Sequence, residues 1–277
     1  MNNVWLSPYN RKIRQPFGGS VGNIALYHIC KEHSELSRDY KVYQEYLAGL
    51  NLSRGLTFGI PSGAFRLPDG KEVRVCFGMG TCAKWCMNLF GRARLPTIFK
   101  KHLANYFLTL REDFPNLVKK RLEELEGKYN VVRIHDDGDF YGEGEDDRRY
   151  FDKWLRIAEE NPKWFFYGYS KSWPIVFPNR EDWPENFTMV QSYGGRFDKK
   201  IDKSLPHAKV FVRDEARKEQ GYLNVVHHDL GALLSWKLRE HSAPWNRIGL
   251  VLHGSAVNPT MQSEEKKRIY IESQAKA

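Results

Sequence analysis

Cysteine is scarce in this chain, four in 277 residues, which is too few for the multiply bridged framework of a small secreted domain. Long apolar runs are missing too: no segment approaches the roughly 18 residues that a membrane span needs. The opening MNNVWLSPYNRKIRQPF lacks the apolar core and small-residue cleavage site of an export signal. A reduced, cytosolic setting is therefore expected. There is no internal repeat and no low-complexity linker. Three chemical signatures are absent as well, namely GxxxxGK[ST], a GxGxxG after a strand and a GxSxG elbow, so P-loop, dinucleotide and serine-hydrolase chemistry finds no support.

What is present is ordinary globular composition, 41% hydrophobic, 28% charged and 14% aromatic, with enough length for a sizeable core. The net charge of +9 favours a polyanionic partner, nucleic acid or a phosphorylated small molecule. Yet the basic residues fall into short clusters, Arg92/Arg94, Lys100/Lys101, Lys119/Lys120/Arg121 and Lys199/Lys200/Lys203. Acids interleave with them, and a solvated surface explains such a pattern equally well.

Apolar periodicity divides the chain. GNIALYHICKEHSEL and YKVYQEYLAGL carry helical spacing and predict an N-terminal helical extension over residues 1–55. TFGIPSG and KEVRVCF then read as short strands around the turn Pro68-Asp69-Gly70. Pro96 and Pro115 open two helical stretches. Six apolar strand segments follow, at 131–135, 164–169, 187–193, 208–213, 222–227 and 248–254, with clear helices in EDDRRYFDKWLRIAEEN and LGALLSWKLREH. This alternation predicts an α/β fold in which residues 56–277 form one domain, a parallel β/α barrel, closed or partial, of about six strands.

Reactive groups in such sheets gather at the carboxyl ends of the strands. Polar residues do cluster there: His135-Asp136-Asp137-Gly138-Asp139, Ser170-Lys171-Ser172, Gln191-Ser192-Tyr193 and Arg213-Asp214. Tyr167, Tyr169, Lys171 and Ser172 are candidates to meet an adenosine or phosphate, with core packing as the competing role of the tyrosines. His135 ends an apolar strand and is expected in the pocket. His135, Asp136, Asp137 and Asp139 could alternatively hold a hard cation, or Gly138 could simply turn the chain while the acids cap it. Histidines at 227, 228 and 253 are expected to find local hydrogen bonds.

Three of the four cysteines, Cys76, Cys82 and Cys86, share one glycine-containing loop. Burial alone gives no reason to place three thiols among Gly, Thr and Lys. Three thiolates match three irons of a [4Fe–4S] cluster and leave the fourth open. Zinc would need a distant His or Cys30 to complete four ligands. Cys30, on the apolar face of IALYHIC, reads as a buried small hydrophobe.

The succession NLSRGLTFGIPSG, CFGMGTCAKWCMNLFGR, VVRIHDDGDFYG, FDKWLRIAEENP and FFYGYSKSW resembles the phage gene product 88 family, proteins that are largely uncharacterised. Its layout in turn is similar to that of radical S-adenosylmethionine (SAM) enzymes, where a three-cysteine loop follows the first barrel strand and a glycine-containing acidic motif ends the second. That resemblance implies SAM as a second cofactor, Gly138 and Asp139 near its methionine end, an external electron donor, and a nucleotide or nucleic acid substrate. The C-x(5)-C-x(3)-C spacing departs from the usual C-x(3)-C-x(2)-C. The competing expectation is a nucleic-acid-binding protein with a structural metal on the same cysteines.

Overall fold

Apolar segments alternating in and out of the backbone plane build a mixed α/β fold around an eight-stranded, mostly parallel sheet. The structure, a computed structural model, describes residues 3–8, 15–67, 69–84, 86–90, 93, 95–225, 228–238 and 243–251. Its strands are β1 (Leu6–Ser7), β2 (Arg54–Phe58), β5 (Tyr129–Ile134), β6 (Phe165–Ser170), β7 (Phe187–Ser192), β8 (His207–Phe211), β9 (Leu223–Asn224) and β10 (Arg247–Val251), in the order β1-β2-β5-β6-β7-β8-β10-β9. Only β1 runs antiparallel, against β2. β3 (Ala64–Arg66) and β4 (Glu72–Arg74) form a separate antiparallel hairpin.

The six strand segments predicted from residue 131 onward all appear. Two differences stand out. β1 and β2 enlarge the sheet, and the strand ahead of the cysteines, EVR, belongs to the hairpin rather than to the sheet. The first parallel strand is instead RGLTF, so the hairpin and the cysteine loop fall within the excursion between β2 and β5, ahead of its two helices.

The helices used below are α1 (Gly19–Glu32), α2 (Tyr40–Gly49), α3 (Pro96–Thr109), α4 (Phe114–Glu123), α5 (Arg149–Glu160), α6 (Asp214–Glu219) and α7 (Leu230–Leu238). Proline stands in the first turn of α3 and α4, where its missing N–H would have had no partner. α5 begins later than its charge pattern predicted, because the Asp147 carboxylate accepts the Glu143 and Arg149 N–H groups (2.9 and 3.3 Å) and holds the acidic run in a turn.

Strand addition from β2 through β5 and β6 proceeds in one direction, and right-handed crossovers then place α3, α4 and α5 on a single face. There Phe114, Val118, Phe151, Trp154 and Ile157 pack with Phe58, Val132, Ile134, Phe166 and Met189. The step from β9 to β10 runs backwards, so the same handedness sends α7 to the opposite face. It joins α1 and α2 there over Val131, Tyr167, Val190 and Ala208. With both faces covered, β7 is buried along its whole length, as parallel strands commonly are. No helix among the described residues is long and apolar enough to cross a membrane.

Candidate metal centre

The cysteine loop lies across the carboxyl tips of β5, β6 and β7, held there by backbone hydrogen bonds and by Phe77, which stacks on Phe197 (centroids 5.8 Å apart). Gly78 N–H donates to Ser172 Oγ (3.1 Å), and the Ser172 hydroxyl donates to the Phe140 carbonyl (2.6 Å). One buried serine thus ties the loop to both the β5 and β6 tips. Gly78 sits so close that a Cβ there would lie 1.9 Å from the Lys171 carbonyl oxygen. Farther along, Met79 bridges Gly195, and Cys82 N–H donates to the Gly194 carbonyl (2.9 Å). The Asp198 carboxylate in turn accepts the Gly194 and Gly195 N–H groups (2.9 and 2.8 Å).

The hairpin sets Cys76. Gly63 donates its N–H to Cys76 Sγ (3.1 Å) while its carbonyl takes the Val75 and Cys76 N–H groups. All three thiols are half-buried. Burial pushes Cys76 well above its ordinary pKa, with Asp139, Cys86 and Cys82 pushing further and the Gly63 N–H opposing. Burial also raises Cys86, against the Leu89 and Asn88 N–H groups and the Lys171 ammonium, while Cys82 raises it. Each effect requires proximity, so the three sulfurs form one electrostatic neighbourhood together with Asp139 and Lys171.

Most of the predicted pocket residues converge on this loop. Asp139 is buried and accepts from Ser170 Oγ (2.7 Å), Phe140 N–H (2.8 Å) and Lys171 N–H (2.8 Å). It is the tie between two strand tips. Lys171 Nζ donates to Ser192 Oγ (2.6 Å), bringing in the β7 tip. Gly138 turns with φ +83°, where a Cβ would lie 2.4 Å from Ile60 Cγ1, and donates its N–H to Ser62 Oγ (3.0 Å).

Asp137 stands to one side. Its Oδ2 lies 3.2 Å from His102 Nδ1 on α3, and burial together with Asp136 pushes its carboxyl up to about 8. Among the described residues, His102, Asp136 and Asp137 are the one group of three or more ligand-type side chains whose donor atoms all lie within 4.8 Å of one another. The partner of these acids is therefore His102, not the predicted His135. A sequence signal for His102 existed, since it sits on the inward side of α3 among apolar residues.

His135 and Tyr169 are not brought to the loop. His135 adopts φ +59°, and this left-handed residue swings its ring out of the strand alternation and onto the helix-covered face. There it meets Phe140 (centroids 4.5 Å apart) and the Tyr150 hydroxyl (2.8 Å). Tyr169 points to the other face beneath the Arg133 guanidinium (5.1 Å), which pairs with Asp229 (2.9 Å). Tyr167 donates its hydroxyl to the same carboxylate (3.0 Å). His228 is satisfied locally, as predicted: its ring nitrogens reach the Pro16 carbonyl (3.2 Å) and accept the Leu230 N–H (3.0 Å). His227 and His253 lie outside the described residues.

Buried histidines give the fold a pH dependence. Burial lowers His33, His102, His207 and His228, and brings His135 down to about 3. A base whose folded pKa is depressed leaves stability untouched above the unfolded value of about 6.5. Below it the unfolded chain binds a proton that the native state refuses. For His135 this removes about 1.4 kcal/mol per pH unit between about pH 6 and its folded value of about 3. His135→Asn, which tolerates positive φ, is expected to flatten the fall in urea midpoint between pH 6 and 5 by one proton's share. An unchanged slope would refute that assignment.

A family model described as gene product 88 matches residues 30–254. The chain belongs to that family. No curated protein and no solved structure matches it. In this gene product 88 protein the matched span contains every element that builds the site, from the hairpin and the cysteine loop to the tips of β5, β6 and β7.

Proposed function

We propose that this gene product 88 protein holds an iron–sulfur cluster on Cys76, Cys82 and Cys86 and acts as a radical-SAM-like enzyme on a nucleotide or nucleic acid. The observation that carries the reading is the seating of three thiols, on one loop, over the tips of three adjacent parallel strands. Single-direction strand addition from β2 to β8 is also what a half-closed barrel requires.

The residues present suit such a group. A single tetrahedral ion draws its thiolates to less than 4 Å apart, given zinc–sulfur bonds of about 2.3 Å. Among the described residues the three thiols are not gathered within 4.8 Å of one another, a wider spacing than one such ion imposes. The Gly63 N–H already points at the Cys76 sulfur (3.1 Å), as donors to cluster thiolates do.

When bound, a cluster with one open iron supplies an electron for reductive cleavage of SAM, giving a carbon radical that abstracts hydrogen from substrate. The chain's own part is charge and position. Lys171 offsets negative charge beside Cys86 and is aimed by Ser192. Asp139 spends its carboxylate on holding the β5 and β6 tips together, so its role is to position the loop around any methionine moiety. Gly138 makes the turn that brings Asp139 to this place.

Anaerobically purified protein is expected to be brown and to contain iron and acid-labile sulfide. Cys82→Ala should lose both, and SAM should alter the wild-type absorption and spin-resonance spectra. Colourless protein carrying zinc would overturn the cluster. A cluster spectrum indifferent to SAM would overturn the radical chemistry alone.

A further inference from the structure

A cavity of about 400 Å³ opens beside Tyr193, between the first residues of β8 and β10. Its polar wall is dictated by register. β8 and β10 pair in parallel with His207 opposite Arg247, and the two-residue period of a strand puts Lys209 on the same side as His207. Lys203 reaches in from the preceding loop, and Tyr193 and Tyr222 complete the lining around His207, with ring centroids 5.9 and 5.7 Å from it.

Three cations thus face one space that, among the described residues, no carboxylate lines. Lys209 Nζ has a neutral partner, the Gln220 side-chain oxygen at 3.3 Å. The nearby Asp202 spends one oxygen on the Ser204 N–H and hydroxyl (2.9 and 2.6 Å). The cations also sense one another: Lys203 lowers Lys209, and Arg247 and Lys203 lower His207, each in addition to burial. Like charges converging on a concave, partly desolvated wall are unfavourable unless an anion joins them.

We propose that this cavity binds the phosphoryl group of a small phosphate ester of about mononucleotide size, with Lys203, Lys209 and Arg247 as its cationic contacts. The volume decides between an ester and a bare ion, because it falls in the range that encloses an organic body as well as its polar anchor. Ser192 and Tyr193 are consecutive, and the first accepts from Lys171 while the second lines this cavity. Among the described residues none of the cysteine loop lines the cavity, so the site stands or falls independently of the cluster.

The test is calorimetric titration of the full chain with a nucleoside monophosphate, pyrophosphate, inorganic phosphate and a single-stranded oligonucleotide. The monophosphate is expected to bind more tightly than inorganic phosphate. Lys209→Gln combined with Arg247→Gln should weaken it about tenfold or more, since two charge-assisted contacts to the phosphoryl group are lost. Should that variant misfold, Lys203→Gln, at an exposed position, is expected to weaken binding alone. Lys119→Gln with Lys120→Gln, exposed on α4, should change nothing, and Cys82→Ala should bind as wild type. Failure of all small phosphates at millimolar concentration, retention of affinity in the cavity variants, or binding of the oligonucleotide alone would overturn the proposal.

Discussion

Gly78→Ala is expected to lower unfolding free energy by about 3 kcal/mol, at the upper end of overpacking effects, because the obstruction is main chain and cannot rotate away. The added methyl would lie 1.9 Å from the Lys171 carbonyl oxygen and 2.6 Å from Ser172 N. Relief requires the cysteine loop to lift from the β6 tip, which breaks the Gly78–Ser172 bond and opens the ring of thiols. Urea denaturation should therefore show a large loss, and metal content should fall with it. Gly49→Ala, where a Cβ meets nothing within 4 Å, is the matched control and should be neutral or slightly stabilising in its helix. A Gly78→Ala protein as stable as wild type would mean that the loop is not seated as described.

Asp139→Ala is expected to cost about 3–5 kcal/mol, since one truncation strands the Ser170 hydroxyl and the Phe140 and Lys171 N–H groups in a buried place. Asp139→Asn keeps the volume and one acceptor, so its loss should be smaller. The ordering of the two variants in denaturation midpoint is the check. Equal effects would mean that charge, and not hydrogen bonding, is what holds the strand tips together. If Asp139 instead served only a ligand, neither change would alter the stability of the unliganded chain.

Much of this architecture is legible in the residues themselves. Apolar segments bounded by turn residues marked β5 to β10 closely, because a strand buried on both faces has little room for polar side chains. The cysteine loop and the polar strand ends were legible by the same logic. Three things were not. The insertion of β10 between β8 and β9 depends on pairing between distant segments, which leaves no local trace. The left-handed backbone at His135 sends a side chain to the face that strict alternation forbids. The pairing of Asp137 with His102 joins a helix to a strand end, and helix periodicity alone does not say which inward residue will reach an acid.

The staples that seat the cysteine loop have very long reach along the chain, 94 residues from Gly78 to Ser172 and 113 from Thr81 to Gly194. Contacts so remote close only after the intervening segments have collapsed, since the entropy of joining distant points must be met before the contact repays it. A nascent or half-folded molecule thus keeps the cysteine loop away from the strand tips, whereas the finished one seats it over them. Any group that needs the whole loop is taken up only late in maturation, and once bound it would hold the completed topology shut by mass action.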